Sequence, residues 1–191
     1  MHEVWCSGCG AHVADVSGPT HRYVPSAPGC WQVFGEVQAD EMQRFGYPPA
    51  HRLVVDAYMA QHPGTGEDRR DRQSVFSHLV ALCAVLEQSV PAGSATRLLG
   101  LVVGSRTDFP VLTRSHGPGA LTVRHMLGAD SLDDYGARAR DWAQAVWQSW
   151  AAEHEMIRAA LAGTAVADSP RGEPATRRRH ATTARPGGAA R

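Results

Sequence analysis

Residues 49–62 have the sequence PAHRLVVDAYMAQH, and this stretch decides the interpretation of the fold. Pro49 is compatible with the first turn of a helix, and Pro63 follows directly after the stretch. When the residues are placed on a helical wheel, apolar side chains cover most of its circumference. A helix that is apolar on most sides is buried among other elements. We therefore predict that this helix lies at the centre of a helical protein.

The same helix also carries polar side chains that point to chemistry. His51, Tyr58 and His62 fall within about 60° of one another on the wheel. Arg52 and Asp56 are one turn apart on another side, so we expect an ion pair between them, although Asp56 could instead orient a histidine.

Helical periodicity continues on both sides of this stretch. Further helices are predicted over residues 31–45, 70–90 and 94–103, with a helical turn near 122–127. A last, long helix is predicted over 131–161, where an apolar stripe includes His154; His78 lies on an apolar face of the third helix. The expected fold is all-α, a bundle of four to five helices over residues 31–163.

Residues 1–30 form a loop-rich segment, which we call the N-terminal lobe. It is rich in glycine and proline and has too few apolar residues to bury a core. Cysteines two residues apart can bind one ion, and a structural zinc site supplies the folding energy that such a segment lacks. We predict a zinc site made of Cys6, Cys9, His21 and Cys30.

Other interpretations of these cysteines stay open. His12 and His51 are alternatives to His21 as the fourth ligand. Cys6 and Cys9 could also form a redox dithiol or remain unliganded, although no strand-turn-helix pattern surrounds them. Cys83 follows the apolar periodicity of the third helix, so we interpret it as a core residue.

Composition restricts the class of protein. The 191 residues have zero formal charge, but residues 171–191 carry six arginines against Glu173, so the rest of the chain is acidic. Residues 164–191 are rich in Arg, Pro, Gly and Ala, and we predict that they are disordered.

We expect no membrane association and little role for nucleic acid. The N-terminus lacks a signal-peptide pattern, which favours a cytoplasmic protein.

The inward histidines suggest a second site. Three imidazoles that leave one position open suit a catalytic metal, which acidifies water or polarises a carbonyl. If the helices are neighbours, a polar pocket would form, and its candidate catalytic residues are His51, Asp56, Tyr58, His62, His78 and His154. Each histidine taken alone is also compatible with a hydrogen-bonded core residue.

Several separated motifs resemble a known family. They are Cys6-Ser-Gly-Cys9-Gly, His21-Arg-Tyr, Pro28-Gly-Cys30-Trp31, His51-Arg-Leu-Val-Val-Asp56-Ala-Tyr58, Gln61-His62-Pro63 and His78-Leu-Val-Ala-Leu-Cys83. Together they resemble the bacterial domain of unknown function 5946 from about residue 6 to residue 160. The resemblance implies roles for His21 and His62 without implying a reaction. The inward histidines are also similar, in architecture only, to DinB-like metal-dependent helical bundles.

These observations lead to two functional interpretations. The first is a cytoplasmic zinc-binding helical protein, acting as a metal-dependent enzyme on a small molecule in the His-rich pocket. The alternative is a non-catalytic, zinc-stabilised adaptor or regulatory protein that binds a partner protein or nucleic acid.

Overall fold

The computed structural model describes residues 2–163. These residues form six α-helices and one small sheet, so the predicted all-α fold is confirmed. The predicted disorder of residues 164–191 concerns a segment outside the described residues. The helices are α1 (Pro28–Phe45), α2 (His51–Gln61), α3 (Arg69–Leu86), α4 (Ala92–Gly104), α5 (Leu132–Ser149) and α6 (His154–Ala162).

Helix α2, which covers most of residues 49–62, packs against α1, α3, α4 and α5. Leu53, Val54 and Ala57 on this helix are buried, as are the polar residues Asp56 and Gln61. Because neighbours surround α2 on several sides, polar groups on it must find partners inside the protein. The helix therefore brings chemistry-bearing residues into the centre of the fold.

The long helix predicted over 131–161 is interrupted, which corrects that prediction. Helix α5 ends at Ser149, a short 3-10 turn covers Ala151–Glu153, and α6 follows. The His154 ring stacks on Trp147 with centroids 3.8 Å apart, and its Nε2 donates a hydrogen bond to the Trp147 carbonyl oxygen at 2.9 Å. The turn keeps the apolar faces of both helices buried, so the apolar periodicity alone does not reveal the break.

Glu87, the residue after α3, forms hydrogen bonds with both α5 and α6. Its carboxylate accepts two hydrogen bonds of 2.7 Å from Arg158 on α6 and one of 2.9 Å from the Trp147 indole on α5. The Arg158 guanidinium holds the pKa of this carboxyl down at about 2. Both helices are thereby joined to the end of α3.

The N-terminal lobe, which its composition predicted to be loop, contains regular structure. Strands β1 (Glu3–Trp5) and β2 (His12–Ala14) pair in an antiparallel hairpin. Its connection includes Gly10, whose φ of 72° is readily adopted only by glycine. Beside the hairpin, Gly29 in the first turn of α1 lies so close to the carbonyl of Ala14 that a Cβ there would collide with it. The hairpin therefore packs directly on α1.

A long connection over residues 105–131, which we call the crossing segment, joins α4 to α5 and contains a short 3-10 turn at Val123–Met126. Gln61, at the end of α2, holds it by donating from Nε2 to the carbonyl oxygens of Pro118 at 2.6 Å and Leu121 at 2.7 Å. The same side chain accepts a hydrogen bond of 3.1 Å from the Trp142 indole. One buried amide thus links α2, the crossing segment and α5.

Within the described residues, no helix is both long and apolar enough to cross a membrane.

Candidate metal centre

Four buried donors from three parts of the chain meet where the N-terminal lobe contacts the bundle. Cys6 and Cys9 come from the hairpin connection, Cys30 from the first turn of α1, and His62 from the residue after α2. Their ligand atoms all lie within 4.8 Å of one another, and each of the four residues is at most 2% exposed. This Cys3His group is able to hold a metal ion.

The spacing of the donors fits tetrahedral coordination. The Cys6 and Cys30 sulfurs lie 3.4 and 3.5 Å from Nε2 of His62, and the Cys9 and Cys30 sulfurs lie 3.6 Å apart. With metal–sulfur bonds of about 2.3 Å and a metal–nitrogen bond of about 2.0 Å, the edges of a tetrahedron are roughly 3.5–3.8 Å long. The four atoms are thus already placed near the corners of one coordination sphere.

The hydrogen bond made by His62 selects the nitrogen that faces the thiols. Nδ1 donates to the carbonyl oxygen of Tyr58 at 2.7 Å, so Nε2 carries the free lone pair. Such a bond to the far nitrogen fixes the ring and raises the basicity of the ligating one. Tyr58 also supports the centre through its hydroxyl, which donates to the Cys30 sulfur at 3.6 Å. Helix α2 therefore supplies both the ligand and its orientation.

Backbone amides support the sulfurs from the lobe side. The amides of Ala11 and Ala27 donate to the sulfurs of Cys9 and Cys6, each at 3.4 Å. Hydrogen bonds from the Cys30 and Cys9 thiols lower the pKa of Cys6, whereas hydrogen bonding to Cys30 and Cys6 raises the pKa of Cys9. Three thiolates at this spacing repel one another, so a cation is needed to keep all three deprotonated.

Arg114, from the crossing segment, reinforces the junction between lobe and bundle. Its guanidinium donates to the carbonyl oxygen of Gly8 at 3.2 Å and to that of Gln61 at 2.8 Å. It also lies over the Trp150 ring, 5.3 Å from the centroid. Burial lowers the pKa of Arg114, and the charge of Cys9 partly opposes this effect. A positive group beside a cluster of thiolates would offset part of their negative charge.

Gly8 is required for the close approach of the Cys6–Cys9 turn to His62. A Cβ at Gly8 would collide with the imidazole ring and lie 3.0 Å from the carbonyl oxygen of Pro25. We expect Gly8→Ala to displace the ring and weaken metal binding at least tenfold, measured by competition with a chromogenic chelator. The matched control is Gly35→Ala, since a Cβ at Gly35 on α1 would meet nothing within 4 Å beyond its own stretch of helix. Equal metal affinity in both variants would contradict the close packing.

The structure places His62 beside the three cysteines, where the sequence pattern predicted His21. His21 is exposed, accepts a hydrogen bond of 3.2 Å at Nδ1 from the Tyr23 amide, and contacts the Trp31 ring. The difference has a physical reason: His21 belongs to a separate turn of the lobe, whereas the end of α2 points at the thiols. His12, one of the alternatives, is paired with Glu3 at 2.9 Å on the hairpin surface.

The six candidate catalytic residues have different surroundings. Tyr58 and His62 belong to the metal centre. Nδ1 of His78 donates to Asp56 at 2.7 Å. His51 faces Glu41 at 3.0 Å, and His154 is bonded to Trp147. Within residues 2–163, the metal centre is the one cluster of at least three Cys, His, Asp or Glu ligand atoms close enough to share an ion.

The fold and this centre define an all-α protein with a buried Cys3His group. Comparison with protein families places residues 4–151 in the family described as "Family of unknown function (DUF5946)", and the chain belongs to that family. No curated protein and no solved structure matches the chain. The family supplies no reaction, so function must be argued from the residues.

Proposed function

We propose that this protein is a cytoplasmic zinc protein whose metal has a structural role. The observation that carries the proposal is the complete set of four buried protein donors. Structural zinc sites are typically closed by four Cys or His ligands, whereas catalytic ones keep a position for water or substrate. Three thiolates and an imidazole favour zinc over magnesium or calcium, which prefer oxygen ligands. Thiolate ligands also persist best in a reducing compartment.

In this proposal, zinc joins the N-terminal lobe to the helical bundle. Two ligands come from the hairpin connection, one from α1 and one from the end of α2, so one ion holds three segments that are distant in sequence. Metal-binding free energy becomes folding free energy where no preformed site exists in the unfolded chain. The alternative of a metal-dependent enzyme has less support, because His51 and His154 are engaged by Glu41 and Trp147 rather than directed at the metal centre.

Cobalt substitution tests this proposal, because tetrahedral Co²⁺ bound to thiolates absorbs visible light and reports on open positions. We expect purified protein to contain about one zinc ion per chain, and the cobalt form to show a tetrahedral, thiolate-rich spectrum. Azide or imidazole should leave that spectrum unchanged, because the protein already supplies four donors. A spectrum that shifts with either ligand would indicate an open, catalytic position. Protein purified without metal, and unable to take up zinc, would refute the zinc assignment.

A further inference from the structure

We infer that a cleft between α2, α3 and α4 binds a small molecule that carries a phosphate group. This site is separate from the metal centre and does not depend on a catalytic role for zinc. The cleft has a volume of about 580 Å³. Its lining residues include Tyr23, Arg52, Arg69, Arg70, His78 and Leu99.

The lining of this cleft carries an excess of positively charged residues. Three arginines and one histidine line the cleft, and among the described residues no Asp or Glu lines it. Guanidinium groups present five N–H donors in a planar arrangement that matches phosphate oxygens. A phosphate monoester carries up to two negative charges and three acceptor oxygens, so it can engage several of these groups together. A carboxylate offers one charge and two oxygens.

A buried carboxylate holds two of the lining side chains in place. Asp56 is fully buried, and its Oδ2 accepts a hydrogen bond of 2.7 Å from Nε of Arg52. Its Oδ1 accepts one of 2.7 Å from Nδ1 of His78. Because Nδ1 is engaged, Nε2 of His78 is the nitrogen left to contact a ligand. Asp56 thus orients both side chains without reaching solvent, and it also pairs with Nη2 of Arg52 at 2.7 Å. Because this pair offsets the charge of Arg52, the net positive charge of the lining comes from Arg69 and Arg70.

Donors on the other two arginines are also left for a ligand. Arg69 donates to the Thr107 carbonyl oxygen at 2.8 Å and to the Gln73 side chain at 3.0 Å. Arg70 donates to the Tyr23 hydroxyl at 2.8 Å. These contacts restrict the movement of each guanidinium and use fewer than its five donors. Such fixed donors lose little conformational entropy when an anion binds.

The size and the remaining walls indicate that the ligand has an organic part. A cleft of about 580 Å³ lies within the range of small-molecule sites and is much larger than a phosphate ion. Leu99 on α4 and the ring of Tyr23 add apolar surface to it. The chemistry that fits is therefore a phosphate attached to a small apolar or aromatic group.

Calorimetric titration of the full-length, zinc-loaded protein at low ionic strength tests this inference. Phenyl phosphate, inorganic phosphate and benzoate are the probes. We expect phenyl phosphate to bind most tightly, inorganic phosphate more weakly and benzoate most weakly. Arg70→Gln and Arg69→Gln should each weaken phenyl phosphate binding about tenfold, because each removes a charge-assisted hydrogen bond. Both residues are exposed at the start of α3, so the fold should persist, as thermal unfolding can verify.

The matched control is Arg140→Gln, because Arg140 is an exposed arginine that lines a different cavity. Its affinity for phenyl phosphate should equal that of the unchanged protein. Imidazole ¹⁵N signals of His78 should shift during the titration, while those of the stacked His154 stay constant. Absence of saturable binding, or equal weakening by Arg140→Gln, would overturn the site. Tighter binding of benzoate than of phenyl phosphate would overturn the assignment to phosphate.

Discussion

His62→Ala is expected to release the metal ion and to unfold the N-terminal lobe, whereas His21→Ala is expected to do neither. The reason is that Nε2 of His62 lies 3.4–3.5 Å from two of the three thiols, while His21 is exposed on a separate turn. Structural zinc contributes roughly 10–16 kcal/mol of apparent free energy in small zinc domains, so losing one of four ligands removes a large share of the lobe's stability. Comparison of the two variants therefore shows which of the two histidines is a metal ligand.

Metal content by mass spectrometry and amide hydrogen exchange are the measurements for this prediction. In His62→Ala we expect less than about one tenth of the normal zinc content and loss of exchange protection over residues 2–30. Helices α3 and α5 should keep most of their protection, since they have apolar contacts of their own. His21→Ala should match the unchanged protein in both measurements. Equal zinc loss in the two variants would show that the exposed histidine also contributes to the centre.

A second pair of variants tests the cysteines independently of the histidines. Cys30→Ser is expected to lose zinc as His62→Ala does, because a serine hydroxyl is a poor replacement for a thiolate ligand. Cys83→Ser is the matched control: Cys83 is also buried, but it lies on α3 next to Glu87. We expect normal zinc content in the control. Zinc loss in Cys83→Ser would mean that replacing any buried cysteine lowers zinc content by destabilising the whole protein, so that the loss in Cys30→Ser would not identify a ligand.

The second large effect is expected from Gln61→Leu, which should lower the free energy of unfolding by about 3–5 kcal/mol. Leucine has a similar size but leaves the carbonyl oxygens of Pro118 and Leu121 and the Trp142 indole without their partner. An unsatisfied polar group inside a protein costs about 1–3 kcal/mol, with the lower values expected for the carbonyl oxygens of the half-buried residues Pro118 and Leu121. Urea unfolding of the zinc-loaded protein, followed by circular dichroism, measures the change.

The matched control for this prediction is Gln32→Leu. Gln32 is exposed on α1, and its amide donates to Glu36 at 2.9 Å. We expect a change within about 0.5 kcal/mol, as is usual at exposed positions. If Gln61→Leu destabilises the protein no more than this control does, Gln61 is not the link between α2, the crossing segment and α5 that the hydrogen bonds indicate.

Much of the helical architecture follows from local patterns. The predicted positions of α1 to α4 agree with the structure to within a few residues, because glycine and proline separate amphipathic stretches. The break after Ser149 was not predictable in this way, since the apolar stripe continues through it. The contacts found at the break are the stack of His154 on Trp147 and the bonds to Glu87, which is far away in sequence. Hydrophobic periodicity shows which face of a helix is buried, but it does not show whether the helix axis is continuous.

The candidate metal centre was likewise predictable in part from local sequence, whereas its fourth ligand was not. The Cys6–Cys9 spacing and the core-poor lobe point to metal, and they identify three of the four residues that meet. The fourth lies 32 residues beyond Cys30, at the end of a helix, and no local signal assigns it to the lobe. A hint does exist: His62 follows Tyr58 by one helical turn, the spacing that allows its Nδ1 to bond that carbonyl.

Local patterns of residues were sufficient to predict the helical class, the central position of α2 and the thiol cluster in a lobe without a core. These follow from hydrophobic periodicity and ligand chemistry, which act over a few residues. The tertiary structure decided that His62 completes the cluster. It also decided that Asp56 pairs with His78 beside three arginines, instead of joining one histidine pocket. These outcomes depend on how helices pack, because contacts between distant residues are set by the relative position and rotation of the elements that carry them.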